Sequence, residues 1–218
     1  TIMQLAKVVE VKNDGTENNK SDFCGELELS PIQKHYFEKY DLDKHFNQTA
    51  VLENKDMWDK EALAEALKAC LNKHPMIRTK YEIDKDLDIK QTVLSNEDFN
   101  CAINEAYYND DFEKLQSKVT PLNKIFECTL IKNKESEDAS LLMLAVNHLV
   151  IDAVSMRILI KDLVTAYEAL KNGNTKDVIA LLGTENKTYN DFVRAIGDAG
   201  NNYHFTKHKA YWEKIDTY

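Results

Sequence analysis

The stretch L-L-M-L-A-V-N-H-L-V-I-D-A-V-S-M-R-I-L-I-K-D-L, residues 141–163, decides how this chain folds. From Leu141 to Ile151 it is apolar almost without a break, as expected of a strand buried on both faces. Only Asn147 and His148 interrupt the run. Beyond it the spacing changes: Val154, Ile158, Leu159, Leu163, Val164 and Tyr167 recur at helical period, which predicts a helix directly after the strand. A His and an Asp at the mouth of a buried strand each cost a few kcal/mol unless hydrogen-bonded. If the strand runs that far, alternation sets His148, Val150 and Asp152 on one side. Imidazole, with an unperturbed pKa of about 6.5, takes and returns a proton near neutrality. Taken alone, however, H-x-x-x-D fits a satisfied core histidine and a helix-capping aspartate better than a catalytic pair.

Upstream, Ser30 is a good N-cap, Pro31 suits the first helical position, and Gln33 closes a capping box. Ile32, Tyr36, Phe37 and Tyr40 would form that helix's apolar face. Val51 and Leu52 read as a short strand. Asp59 caps a second helix whose stripe is Leu63, Ala66, Leu67, Cys70 and Leu71. Strands are expected over Met76–Ile83 and Ile89–Leu94, then a polar region at 96–124 with a short helix from Asp111 to Val119, then a strand from Ile125 to Ile131. The last forty or so residues are more polar and hold a helix-like segment ending in Ala210-Tyr211-Trp212. This mixed order predicts an α/β or α+β two-layer fold, a mixed sheet packed with helices.

Composition narrows the function classes. The chain has 218 residues, 43% hydrophobic and 30% charged, enough for a sizeable core. Lys and Arg total 28 against 37 Asp and Glu, a formal charge of -9, and no basic block interleaves with aromatics, so nucleic acid is a poor partner. No apolar stretch is long enough to span a bilayer, and no membrane partner is expected. Cys24, Cys70, Cys101 and Cys128 form no C-x-x-C pair, and Cys70 and Cys128 read as small buried hydrophobes in a reduced, cytoplasmic chain. His204 and His208 are four apart but lack a third ligand, so no metal site is expected. His35 and His45 read as surface residues, and there is no Gly-rich phosphate loop.

N-H-L-V-I-D-A-V-S-M-R-I-L-I-K-D-L closely resembles the H-H-x-x-x-D-G segment of nonribosomal peptide synthetase condensation and epimerization domains, and V-S-x-R-I-L-x-x-D-L resembles the epimerization branch. G-E-L-E-L-S-P-I-Q-K-H-Y-F-E (residues 25–38), H-F-N-Q (45–48), H-P-M-I-R-T (74–79), K-T-Y-N-D-F (187–192) and A-Y-W (210–212) are similar to further family segments in the right order. The opening T-I-M-Q-L-A-K-V-V-E resembles the last helix of a peptidyl carrier domain. The resemblance therefore implies a carrier tail at 1–10, a polar linker at 11–23, the amino-terminal, chloramphenicol-acetyltransferase-like lobe at 24–180, and a segment at 181–218 leading into a missing second lobe.

By the same resemblance, His148 is the catalytic residue. It would move a proton at the α-carbon of an aminoacyl or peptidyl thioester, in a tunnel between two lobes, with a glutamate from the second lobe as the other group. The half alone would be inactive. The substrate rides on the phosphopantetheine of a carrier domain, with no cofactor bound directly. In a condensation domain His148 would instead position or deprotonate the attacking amine. Asp152 is implied as structural support held by Arg78, with helix capping as its alternative; Ala153 and Ser155 take motif backbone positions. Asn147 replaces the family's first His, Ala153 its Gly, and Met156 the Trp of the epimerization branch. These departures motivate a further reading, a catalytically degenerate carrier-docking module. A single-lobe acyltransferase working as an oligomer is a last option.

Overall fold

The computed structural model describes residues 23–135, 138–173, 178–183, 188–200 and 206–215. They fall in two compact units, one of Ser21–Glu185 and one that includes Asn186–Tyr218. The predicted carrier-tail helix, linker residues 11–22 and His204 lie outside the described residues.

The first unit runs β1 (Gly25–Leu27), α1 (Pro31–Lys39), β2 (Asn47–Glu53), α2 (Lys60–Lys73), a 3-10 turn (Pro75–Arg78), β3 (Thr79–Ile83), β4 (Ile89–Val93), β5 (Ile103–Tyr107), α3 (Phe112–Gln116), β6 (Phe126–Lys132), β7 (Ala139–Asn147), α4 (Ala153–Lys171) and α5 (Val178–Leu182). The main sheet has the order β2-β7-β6-β5, and β1-β4-β3 form a second, antiparallel sheet. In the main sheet β2, β7 and β6 are antiparallel, while β5 lies parallel to β6. This is the expected mixed sheet packed with helices.

Its core sits where the apolar periods meet. Phe126, Cys128 and Leu130 of β6 and Leu142, Leu144 and Val146 of β7 pack with Leu63, Leu67 and Cys70 of α2 and Met156, Leu159 and Leu163 of α4. The alternate residues Thr129, Ile131, Met143 and Ala145 are buried too. The central strands are thus covered on both faces, which is why β7 reads as a continuous apolar run. The capping box forms: Ser30 Oγ accepts from the Gln33 backbone, and Gln33 Oε1 accepts from Ser30 N at 2.9 Å. Asp59 Oδ1 likewise accepts from Ala62 N at 2.9 Å.

Four expectations change. β7 stops at Asn147, and 148–150 form a turn, so His148 and Asp152 do not share a strand face. Pro75, lacking an N–H, opens a 3-10 turn through Arg78, and β3 starts only at Thr79. The buried face of α1 is Gln33 and Tyr36, with Ile32 left 74% exposed. The region read as polar contains β5, an edge strand whose Ala106 is buried while Glu105 faces outward to Lys60 (2.6 Å) and Lys132 (2.8 Å). Hydrogen bonds from these two lysines hold the Glu105 carboxyl down to about 2.

All four cysteines are free thiols; Cys70 and Cys128 are fully buried, as expected. Burial pushes the Cys70 and Cys101 thiols up to about 12. Among the described residues no helix is long and apolar enough to cross a membrane. In the second unit Thr188 and Asp191 cap α6 (Tyr189–Gly200) reciprocally, and α7 spans Lys209–Ile215.

Candidate functional site

The last rung of the main sheet pairs Asn47 of β2 with Asn147 of β7. Asn147 is fully buried, and its backbone N–H donates to Ile125 O at 2.8 Å. Its side chain then ends the strand: Oδ1 accepts from Leu149 N at 3.1 Å, and its carbonyl accepts from Val150 N at 3.1 Å. This is an Asx turn, a geometry for which a short amide side chain is suited and an imidazole is not. Asn147 Nδ2 also donates to Asn47 Oδ1 at 3.3 Å, and Asn47 in turn donates to Gln116 O at 2.9 Å.

The turn presents His148. Its backbone N–H donates to Phe46 O at 2.6 Å, and its ring stacks on the Phe46 ring at 4.7 Å and 15°. Phe46 stacks in turn on Tyr36 at 5.8 Å, and Tyr36 on Tyr40 at 5.1 Å. The imidazole is therefore half-buried, supported on one face by an aromatic row, and no described residue hydrogen-bonds to its ring nitrogens. Behind it, Leu149 O accepts from Gln33 Nε2 at 2.9 Å.

Asp152 is exposed and caps α4, its Oδ1 accepting from Ser155 N at 2.7 Å. Hydrogen bonds from Ser155 hold its carboxyl below the usual range, with a smaller contribution from His148. The implied ion pair with Arg78 is not formed. Arg78 is buried, donates from Nη2 to Phe23 O at 3.2 Å, and lines a cavity of about 610 Å³ with Lys68, Phe99 and Cys101. The helix N-terminus satisfies Asp152 where it stands. Ala153 and Ser155 are exposed in the first turn of α4, where Ala153 O accepts from Arg157 Nε at 3.3 Å.

The structure thus gathers His148, Asn147 and Asp152 with α4's first turn, and leaves Arg78 out. Gln33, Phe46 and Asn47 complete the site. Gln33 was legible only as a cap, and Phe46 and Asn47 only as part of H-F-N-Q. A second cavity of about 550 Å³, with Trp58 and Tyr167 in its wall, is like the first not lined by His148. His35 and His208 are exposed, and His45 pairs with Glu113 at 2.9 Å. The described residues contain no cluster able to hold a metal ion. What remains is an imidazole on a hydrogen-bonded turn, stacked at the end of an aromatic row.

A family model described as "Condensation domain" matches residues 24–217. Surfactin synthase subunit 1 of Bacillus subtilis (strain 168) is 28% identical over 99% of this chain, and bacitracin synthase 1 of Bacillus licheniformis 30% identical over 98%. The chain spans only 6% and 4% of those relatives' lengths. In fold it is similar to the epimerization domain from the third module of tyrocidine synthetase B (TM-score 0.76, 23% identity, 92% of this chain and 47% of that one). It is also similar to the first condensation domain of the calcium-dependent antibiotic synthetase (TM-score 0.65, 16% identity, 88% and 48%).

Proposed function

Because the chain belongs to the condensation and epimerization domain family of nonribosomal peptide synthetases, we propose that it is the amino-terminal lobe of an epimerization domain. The observation that carries this reading is His148, stacked on Phe46 with its ring nitrogens unengaged by any described residue. The likeness of V-S-x-R-I-L-x-x-D-L to the epimerization branch supports it.

The substrate is an aminoacyl or peptidyl thioester delivered on the phosphopantetheine arm of a peptidyl carrier domain, and the lobe itself binds no cofactor or metal. The thioester acidifies its α-hydrogen. In one direction His148 takes that proton as the Cα–H bond breaks, and the electron pair moves into an enolate; a proton returned to the opposite face by an acid from the second lobe inverts the centre. Tyr40 and Phe46, in the aromatic row that ends at His148, and Val154 and Ile158 on the first two turns of α4 are exposed apolar side chains on the elements that carry this site. In this reading the second lobe covers them and closes the tunnel, so the isolated half is inactive.

In the complete synthetase, His148→Ala lowers the rate of α-carbon inversion by about 10²- to 10⁴-fold. Chiral analysis of hydrolysed carrier-bound residues and deuterium uptake from solvent at the α-carbon measure it. An unchanged D/L ratio and unchanged uptake would leave a docking module instead. Loss of amide formation with no effect on chirality would assign a condensation domain, the reading favoured by the family model's own description.

A further inference from the structure

We propose that Gln33 is a positioning residue for His148, acting through the Leu149 carbonyl. This inference rests on the reading that His148 handles the substrate proton, and it adds a residue on a different element to that machinery.

Gln33 is 1% exposed, in the first turn of α1, and its carboxamide is fully committed. Oε1 accepts from Ser30 N at 2.9 Å and Ser30 Oγ at 3.2 Å. The two hydrogens on Nε2 go in different directions, one to Tyr81 Oη at 2.9 Å on β3 and one to Leu149 O at 2.9 Å. A capping box needs only the oxygen. The nitrogen therefore does something else: it ties α1 and β3 to the carbonyl of Leu149, the residue immediately after His148, across 116 residues of sequence. The other backbone polar group of the same residue is held by Asn147, whose Oδ1 accepts from Leu149 N. Leu149 is thus gripped at both its N–H and its C=O, in the two peptides that follow His148, by buried amide side chains. With the His148 backbone N–H bonded to Phe46 O, the imidazole lies nearly flat on the Phe46 ring.

Neutral amides suit this task. A carboxylate at position 33 still accepts from Ser30 but has no hydrogen for Leu149 O, and an apolar side chain has neither function. A carbonyl left without its donor releases the turn toward solvent, and a displacement on the order of 1 Å at a reacting group costs about 10²-fold in rate.

The test uses NMR of the histidine ring protons in the full chain. The stacked geometry shifts the His148 ring protons upfield, and Phe46→Leu identifies them by abolishing that shift. We expect Gln33→Met to lose most of it, with the signals of buried α2 and β7 residues unchanged, and Tyr81→Phe, which keeps the bond to Leu149, to retain it. Should Gln33→Met fail to fold, Gln33→Glu, close in size and still able to accept from Ser30, carries the same expectation. Retention of the upfield shift in the folded Gln33 variant overturns the proposal, as does loss of the fold in both. In the complete synthetase, Gln33→Met should lower kcat about ten- to hundredfold with little change in KM for the loaded carrier. If His148→Ala leaves turnover intact while Gln33→Met still releases the ring, the functional reading falls and the positioning role stands.

Discussion

Asp152 shows how one side chain takes its role from where the chain puts it. Exposed at the start of α4, it accepts from Ser155 N and stabilises the helix that follows the His148 turn. Because its folded pKa lies below the unfolded value of about 3.9, its contribution is present above that value and is lost as pH falls through the lower folded pKa. Asp152→Ala should therefore cost about 0.5–2 kcal/mol at neutral pH, and the difference from the wild type should vanish in acid. Urea denaturation at pH 7 and at successively lower pH measures both. Asp152→Asn, which still caps, should remain close to wild type at pH 7. A helix cap was legible in the sequence as the alternative to an Arg78 ion pair, and it is what forms. Asn147 was legible as a departure from a motif. Its Asx turn was not, because Leu149, Val150 and Ile151 continue the apolar run, and periodicity does not distinguish a strand from a half-buried turn leading into a helix.

The elements were legible in proportion to how much apolar surface each buries. β6, β7, α2 and α4 supply most of the core and carry unbroken runs or full stripes. β5 buries little beyond Ala106 and carries Glu105 outward, so its pattern is too sparse to register. α1 misleads because its buried face holds Gln33, a polar residue with a structural task. Polar residues also join the helices. Asp162 of α4 is held by Lys73 Nζ at 2.7 Å and His74 Nε2 at 2.8 Å, where α2 ends, and Lys73 Nζ donates to Leu182 O of α5 at 2.8 Å. The Asp162, Lys73 and His74 side chains are 10%, 13% and 14% exposed. Removing the carboxylate leaves two cationic or polar groups poorly solvated, so Asp162→Ala should cost about 3–5 kcal/mol. The shift in urea midpoint at constant slope measures it, and a loss under about 1 kcal/mol would show that Lys73 and His74 find water or other partners.

For the whole molecule, apolar side chains stay exposed on the elements that carry the His148 site. Phe46, stacked on His148, is 49% exposed, and Val154 and Ile158 of α4 are 56% and 45% exposed. A surface of this kind left open promotes association. Ile158→Glu should therefore make the chain more monodisperse in light scattering while changing stability by only about 0.5 kcal/mol or less. The four thiols offer a different handle, since Cys24 alone is exposed, Cys101 is half-buried, and Cys70 and Cys128 are sealed in the core. A disulfide reagent should titrate one sulfhydryl at once in native buffer and all four in denaturant. Modification of the core pair then proceeds only as fast as the sheet and helices separate, so the absorbance of the released chromophore clocks that opening without any introduced label.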